Sequence, residues 1–245
     1  MKKLILSYII ILILLLSVSV KAQQVNSLWF NAVSGLNSSW IINQNAYGNQ
    51  EFEYATAFGL TGGIGVTYFY KRHRGFSGSI LLTQMGQNYS GYQGGADADR
   101  KVKLSYVEVP LLFMKDIPGS QFPTWLSFGP DVLILLNADQ QYSRGEGGSD
   151  LPYPEGMIDG NVKARYKPVD IAINFSVNRM YNLDYLRKMM FLFSVNTALG
   201  LTDINSTEWQ KPNTHDIYAG SHNFYIGFKI GMMFKVARQG GSHRW

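Results

Sequence analysis

Residues 223–236, NFYIGFKIGMMFKV, alternate large apolar side chains with small or polar ones along their whole length. One face of this stretch carries Phe224, Ile226, Phe228, Ile230, Met232 and Phe234. The opposite face carries Tyr225, Gly227, Lys229 and Gly231. A repeat of two residues indicates a β-strand, because a helix would need an apolar repeat of about 3.6. A strand with one apolar face and one small or polar face is typical of the wall of a transmembrane β-barrel.

Seven other runs show a similar alternation, which makes a set of eight. They cover residues 28–37, 56–70, 76–89, 102–114, 124–137, 164–178 and 189–203. The first run is weak, and the third is ambiguous around Ile80, Leu81 and Leu82, where three apolar residues follow one another. An even number of such segments predicts an all-β fold, an eight-stranded antiparallel up-and-down transmembrane β-barrel.

The connections between these runs alternate in length. Short ones cover residues 71–75, 115–123 and 179–188, and long ones cover residues 38–55, 90–101, 138–163 and 204–222. Barrels of the outer membrane have short periplasmic turns and longer outer loops. We therefore expect the long loops outside the cell. Both mature termini should lie in the periplasm, because an even strand count returns the chain to the side on which it began.

The first 22 residues have the three parts of a secretory signal peptide. Two lysines open the segment, residues 4–20 are apolar, and Ala22 precedes the cleavage point. An uncleaved anchor helix is the alternative, although about 17 apolar residues is at the lower limit for spanning a bilayer. We expect residues 1–22 to be removed and residues 23–245 to form a single barrel domain in the outer membrane.

The composition excludes several classes of protein. The chain has no cysteine, which excludes a lipoprotein anchor, disulfides and thiolate-metal sites. Its formal net charge of +5 falls to +2 on cleavage, because three of the 22 basic residues lie in the signal peptide and leave 19 against 17 acidic residues. A balance this close to neutral gives no electrostatic reason to expect nucleic-acid binding.

A soluble, ligand-holding barrel such as a lipocalin is the alternative fold, with large apolar residues inside and polar ones outside. Alternation alone does not separate the two arrangements. The export signal, the sorting of the loops and the aromatic residues near the strand ends favour the membrane barrel. We expect two interface girdles, one from Tyr70, Trp125, Phe191 and Phe234 near the short turns, and one from Tyr89, Tyr142 and Tyr166 near the long loops.

Four charged residues lie more than four residues from either end of a run, and all of them are on the small or polar face: Glu108, Asp131, Asp170 and Lys229. A charge on the lipid face is costly, so we expect the four to meet in the lumen as an ionic cluster. Isolated buried charges need partners, which predicts a structural role, and carboxylates on adjacent strands can share a proton. A proton path or binding site is the alternative.

No residue pattern indicates catalysis. His215, Asp216, Ser221 and His222 lie in or beside the last long loop and supply the composition of a Ser/His/Asp set, but the GxSxG motif is absent. Two histidines without a fixed carboxylate make a weak metal site. The acidic residues of the loop 138–163 lack the spacing of an EF-hand, which argues against calcium. We therefore expect no enzymatic activity, no cofactor and no metal.

Several stretches together have the character of a known family: residues 106–112 (YVEVPLL), 128–131 (FGPD), 198–204 (ALGLTDI), 224–234 and the Ala22-Gln23 junction. On these residues the chain resembles the PorT-like outer-membrane β-barrel family of the Bacteroidetes type. The resemblance implies an integral outer-membrane protein of eight strands. It also implies that a part in protein secretion by the type IX pathway is one possible role, since some members have it. The tail beyond the last strand departs from barrels that stop on the aromatic residue of the final strand.

We expect a non-enzymatic barrel that serves as an anchor or subunit of an envelope or protein-secretion assembly. Its partners would be outer-membrane lipids around the wall and other envelope proteins at the outer loops. A small-solute pore is an alternative, although eight-stranded barrels fill their interior with side chains. An outer-membrane hydrolase or acyltransferase is a second alternative, which the count of only four histidines disfavours.

Overall fold

Eight antiparallel strands form a closed barrel in a computed structural model of the protein, which describes residues 26–119, 123–145, 152–186 and 188–238. The strands are β1 (Ser27–Ile42), β2 (Ala57–Lys71), β3 (Arg74–Gln93), β4 (Ala96–Asp116), β5 (Thr124–Arg144), β6 (Val169–Asn182), β7 (Met189–Gly200) and β8 (His222–Arg238). Short strands at Glu53–Ala55 and Gly160–Asn161 and 3-10 turns at Lys163–Arg165 and Thr207–Trp209 lie in the connections. The predicted signal peptide, residues 1–22, lies outside the described residues, as does the tail after residue 238.

The barrel closes because the first and last strands pair along their whole length. The register of β1 with β8 runs from Ser27 opposite Arg238 to Ile42 opposite His222. Every other wall strand pairs with the strands before and after it in the sequence, so the order is up-and-down. Closure satisfies the backbone groups that an open sheet would leave at its edges. Among the described residues, no helix is long and apolar enough to cross a bilayer.

The large apolar residues face outward and the polar residues face the lumen, which is the opposite of a lipocalin. The third run shows this directly: Ile80 and Leu82 are 60% and 63% exposed, whereas Leu81 between them is 2% exposed. The outward band continues around the wall, with Phe58 and Phe128 among its exposed residues. The predicted fold class is therefore confirmed. The register resolves the ambiguity of this run, because the ladder with β2 and β4 fixes which face each residue takes.

The predicted long connection at residues 90–101 is wrong. There β3 and β4 continue as a paired hairpin and turn only at Gly94 and Gly95, whose φ angles of +59° and +87° suit glycine. This part of the hairpin lies beyond the apolar band, so its residues are polar on both faces. A segment that is polar on both faces is typical of a loop, and for this reason the sequence predicted one. β1 and β5 likewise extend to Ile42 and Arg144, so the connections that follow them are shorter than predicted.

The predicted aromatic girdles are also partly wrong. Trp125, Tyr89, Tyr142 and Tyr166 are all buried and do not face lipid. Trp125, Tyr89 and Tyr142 occupy inward positions on wall strands, whereas Tyr166 lies in the connection between β5 and β6. The outer aromatic contacts near the short turns instead form one row across β2 to β5. Its members are Tyr70, Phe76, Phe113 and Phe128, whose successive ring centroids are 5.4, 5.6 and 5.7 Å apart.

Candidate functional site

The lumen is the candidate site, and its short-turn end is closed by a layer of apolar side chains. This basal layer consists of Trp29, Phe69, Met114, Trp125, Met180, Met190, Leu192 and Met233. The rings of Phe69 and Trp125 are 4.7 Å apart at their centroids, and Trp29, Phe69 and Met233 are completely buried. Large residues at inward positions near the strand ends were the sequence signal for this layer. The basal layer blocks passage from the short-turn side, because flexible methionines fill gaps between the rings.

A small cavity of about 70 Å³ lies directly above the basal layer, with both apolar and polar side chains in its lining. Its polar lining includes Ser77, Ser127, Ser176, Asn174, Asn178, Asn196 and Lys229. The side-chain carbonyl oxygens of Asn174 and Asn196 are buried and have no protein partner among the described residues. A buried water needs about 10–15 Å³ and several polar neighbours, so the cavity suits a few water molecules better than a solute.

Glu108, on β4, is the centre of the polar layer above the cavity. Its carboxylate lies 3.7 Å from the ammonium group of Lys229, on β8. Tyr225 Oη donates a hydrogen bond of 2.7 Å to Oε1 of Glu108, and Thr83 Oγ1 donates one of 2.5 Å to Oε2. Glu108 is completely buried, and these partners offset the loss of its hydration.

Asp131, on β5, joins the same layer from the next strand. Asn174 Nδ2 donates to its Oδ2 at 2.9 Å, whereas its Oδ1 is buried and has no hydrogen-bond partner among the described residues. The same amide group also donates to Tyr225 Oη at 3.2 Å, which links the two carboxyl groups through shared donors. Two adjacent carboxyl groups beside one ammonium group therefore form the ionic core of the lumen.

Asp170 lies apart from this core, so the structure brings together three of the four residues of the predicted ionic cluster. Its carboxylate accepts hydrogen bonds from Thr202 Oγ1 at 2.6 Å and Asn223 Nδ2 at 2.9 Å. The register separates Asp170 from both carboxyl groups of the core. Asp170 is opposite Leu133, which is two residues, or about 7 Å, along β5 from Asp131. Glu108 pairs with the same Leu133 from the other side, so the whole of β5 lies between Asp170 and Glu108.

A stack of aromatic and guanidinium groups closes the outer mouth, which the alternation of side chains does not predict. We call it the mouth stack, and its members in order are Tyr89, Arg100, Tyr47, Arg165 and Trp209. The guanidinium carbon of Arg100 lies 5.2 Å from the ring centroid of Tyr89 and 5.1 Å from that of Tyr47. That of Arg165 lies 5.3 Å from Tyr47 and 4.5 Å from Trp209. The stack joins β3 and β4 to the three outer connections, which follow β1, β5 and β7. We call these three connections and the tip of the β3–β4 hairpin the cap, and the stack holds the cap over the lumen.

Hydrogen bonds hold both guanidinium groups of the mouth stack in place. Arg100 donates to Gln140 Oε1 at 3.0 Å and to the carbonyl oxygen of Asn45 at 2.9 Å. Arg165 donates to the carbonyl oxygen of Gly156 at 2.6 Å. The Tyr89 ring is buried beside the Arg100 guanidinium group. The one sequence signal for Arg100 is its inward position in the alternation of β4. Because residues 90–101 were predicted to be a loop, Arg100 was not assigned to the inward face.

The residues considered for catalysis do not assemble. His215 and Asp216 are exposed, whereas Ser221 is buried and donates to the carbonyl oxygen of Asn43. The Ser221 hydroxyl also accepts a hydrogen bond of 2.7 Å from Asn205 Nδ2, so both contacts bind it into the cap. Among the described residues, no group of three or more His, Asp or Glu side chains could hold a metal ion. Two acidic residues considered for calcium, Glu146 and Asp150, lie outside the described residues.

Comparisons with known proteins give similarities of fold at low sequence identity. Neither protein-family models nor curated proteins match the chain. Among solved structures, the outer membrane protein OprG from Pseudomonas aeruginosa is 8% identical, with 89% of this chain and 99% of OprG covered and a TM-score of 0.42. The outer membrane protein AlkL is 9% identical, with coverages of 91% and 98% and a TM-score of 0.43. Neisserial surface protein A is 11% identical, with coverages of 85% and 97% and a TM-score of 0.38. Similarities at this level do not tell what the chain does.

Proposed function

We propose that the protein is an integral outer-membrane β-barrel without enzymatic activity, which acts as an anchor or subunit of an envelope assembly. The apolar outer band of the barrel and the predicted export signal support this location. We place the outer connections outside the cell and the mature termini in the periplasm, because the three connections opposite the cap are short.

The observation that carries the proposal is the closure of the lumen at both ends. The basal layer fills one end, the mouth stack and its loops fill the other, and the cavity between them has about 70 Å³. In the part of the chain that the structure describes, a lumen closed in this way offers neither a continuous water path nor an internal site large enough for a substrate. Its accessible surfaces are the wall and the cap, so binding to lipids and to other proteins is the activity that the geometry favours.

The cap surface supports the idea of a protein partner. Five large aromatic or aliphatic side chains on it are exposed to solvent: Tyr54, Tyr92, Tyr153, Ile158 and Ile217. Exposed aromatic residues on a firmly held surface are typical of protein interfaces. The finer assignment, to a protein-secretion assembly of the type IX kind, is supported only by the family resemblance of the sequence.

The experiment is the capture of partners from native outer membranes with a tagged barrel. Replacing Tyr92 and Ile217 by Ser should reduce capture and leave folding intact, because both side chains are exposed on the cap. Tyr185→Ser is the matched control, since Tyr185 is 99% exposed at the opposite end of the barrel. Equal capture by the cap variant and wild type would contradict the proposal.

A parallel variant tests the enzymatic alternative. Replacing His215 and Asp216 by Ala removes exposed groups and should leave the cellular role unchanged. Loss of that role in a folded double variant with normal partner capture would favour a hydrolase or acyltransferase instead.

A pore is the second candidate, because Lys229 and the asparagine-lined cavity give the lumen a polar segment. Conductance measurements in planar bilayers distinguish the two. We expect wild type to be closed. Steady conductance that disappears when the cavity is filled by Ser176→Leu would favour the pore.

A further inference from the structure

The lipid-facing wall has a groove near the short-turn end, on the side formed by β2 to β5. Its volume is about 520 Å³, and its lining includes Val66, Phe76, Leu111, Phe128 and Pro130. This lining is almost entirely apolar. The volume lies within the usual range of small-molecule sites. A depression of this size in a barrel wall is a site for an elongated apolar group.

The sequence makes the wall thin at this point. Gly78 has no side chain to fill the surface, and Pro130 has no N–H group to donate to a ladder. The register of β4 with β5 passes from Pro110 opposite Asp131 to Phe113 opposite Phe128 without the pairs between them. The groove lies over this interruption. The aromatic row described above forms its border towards the short turns, with Phe76, Phe113 and Phe128 in contact.

Three basic residues lie beyond the aromatic row, on the same outward face. The register places Lys71 opposite Arg74 and Arg74 opposite Lys115, and all three side chains are exposed. Like charges directly opposite on neighbouring strands destabilise a sheet unless an anion compensates them. The carboxylate of Asp116 is engaged elsewhere, because its Oδ2 lies 2.6 Å from Nδ1 of His73.

The basic row and the groove are close enough for one ligand to reach both. Arg74 and Phe76 are two residues apart on β3, as are Lys115 and Phe113 on β4. Two residues along a strand correspond to about 7 Å, and both lie on the same face. A ligand that fits this arrangement has an anionic head next to a long apolar chain.

We propose that this surface is a binding site for an anionic phospholipid in the leaflet at the short-turn end. The phosphate group lies against Lys71, Arg74 and Lys115, and an acyl chain occupies the groove above the aromatic row. Charge complementarity selects an anionic lipid, because the cationic part of a zwitterionic headgroup would be repelled by three adjacent basic side chains. The site does not depend on which proteins the cap binds.

The test uses the purified full barrel in bicelles of phosphatidylcholine, with and without phosphatidylglycerol. We expect phosphatidylglycerol to raise the melting temperature and to remain bound in native mass spectrometry. In the variant K71Q/R74Q/K115Q, the affinity for phosphatidylglycerol should fall about fivefold for each charge removed. This is the size of effect expected for basic residues at a charged membrane surface. The control K101Q/K103Q removes two exposed lysines from the outward face of β4, the strand that carries Lys115, but nearer the outer end of the barrel. This control should bind phosphatidylglycerol as wild type does.

A second variant tests the groove separately. Gly78→Leu should fold, because a Cβ at this position meets only the mobile end of Leu111, at 3.3 Å. It should weaken phosphatidylglycerol binding while the basic row is intact. Unchanged binding in both the triple variant and Gly78→Leu would overturn the proposal, as would equal loss in the K101Q/K103Q control. Equal stabilisation by inorganic phosphate would also overturn it, since that result would indicate an anion site without a lipid chain.

Discussion

Replacing Lys229 by Met tests the role of the ionic core most directly. The substitution keeps the length and the apolar stem of the side chain but removes the ammonium group 3.7 Å from Glu108. Glu108 is fully buried and adjoins the carboxyl group of Asp131, so the variant leaves two carboxyl groups together without a cation. Breaking a buried ion pair costs about 3–5 kcal/mol. The cavity next to Lys229 has several polar groups in its lining and can hydrate the site, so we expect a loss near the lower end, about 3 kcal/mol.

The measurement is urea unfolding of the barrel in lipid vesicles, followed by the heat-modifiable migration of folded barrels in gels. A double variant supplies the control, because Glu108→Gln removes the charge that Lys229 neutralises. Combined with Lys229→Met, it should recover part of the stability, with a coupling energy of about 0.5–3 kcal/mol. Asp170→Asn should show no such coupling, since Asp170 has its own partners, Thr202 and Asn223. Wild-type stability in Lys229→Met, or equal coupling with Asp170, would refute the structural role of the core.

Three further predictions concern the cap and the orientation. Tyr47→Ala removes the centre of the mouth stack, two cation–π contacts of about 0.5–2 kcal/mol each, and should make the connection before β2 sensitive to protease, whereas wild type is resistant. Gly156→Ala should loosen the same region by about 1–3 kcal/mol, because its Cβ would lie 2.3 Å from the Tyr47 ring at a φ of +82°; protection equal to wild type in hydrogen exchange would contradict this. A cysteine replacing Tyr92 should react with a membrane-impermeant maleimide on intact cells and one replacing Arg72 should not; the reverse pattern would show that the barrel is inverted.

The alternation of side chains was sufficient to predict the wall of the barrel. Glu108, Asp131 and Lys229 fell on the inward face because charge at the lipid surface is costly, and the structure places all three in the lumen. The position of Asp170 was not predictable in this way. Alternation determines the face of a residue but not its height in the barrel, which depends on the stagger between strands.

The cap was the least predictable part of the chain. The mouth stack joins residues that are far apart in sequence, such as Tyr47 and Arg165, and no periodicity connects them. The lipid-facing basic row was partly visible as the basic turn at residues 71–74. Its third member, Lys115, became part of the row only through the pairing of β3 with β4. In both cases the missing information was the register between distant segments.

The continuation of β3 and β4 beyond the apolar band has a consequence for the thermodynamics of recognition. A strand needs about 9–11 residues to cross a bilayer, and β4 has 21, so roughly half of it projects past the lipid. Side chains near the hairpin tip, such as those of Tyr92 and Asp97, are therefore carried by paired backbone. A partner that binds there does not have to order a flexible loop, so less conformational entropy is lost and more of the contact energy remains as affinity. Lengthening the Gly94-Gly95 turn with a flexible insert should therefore weaken partner binding chiefly through an entropic loss, even with every contacting side chain retained.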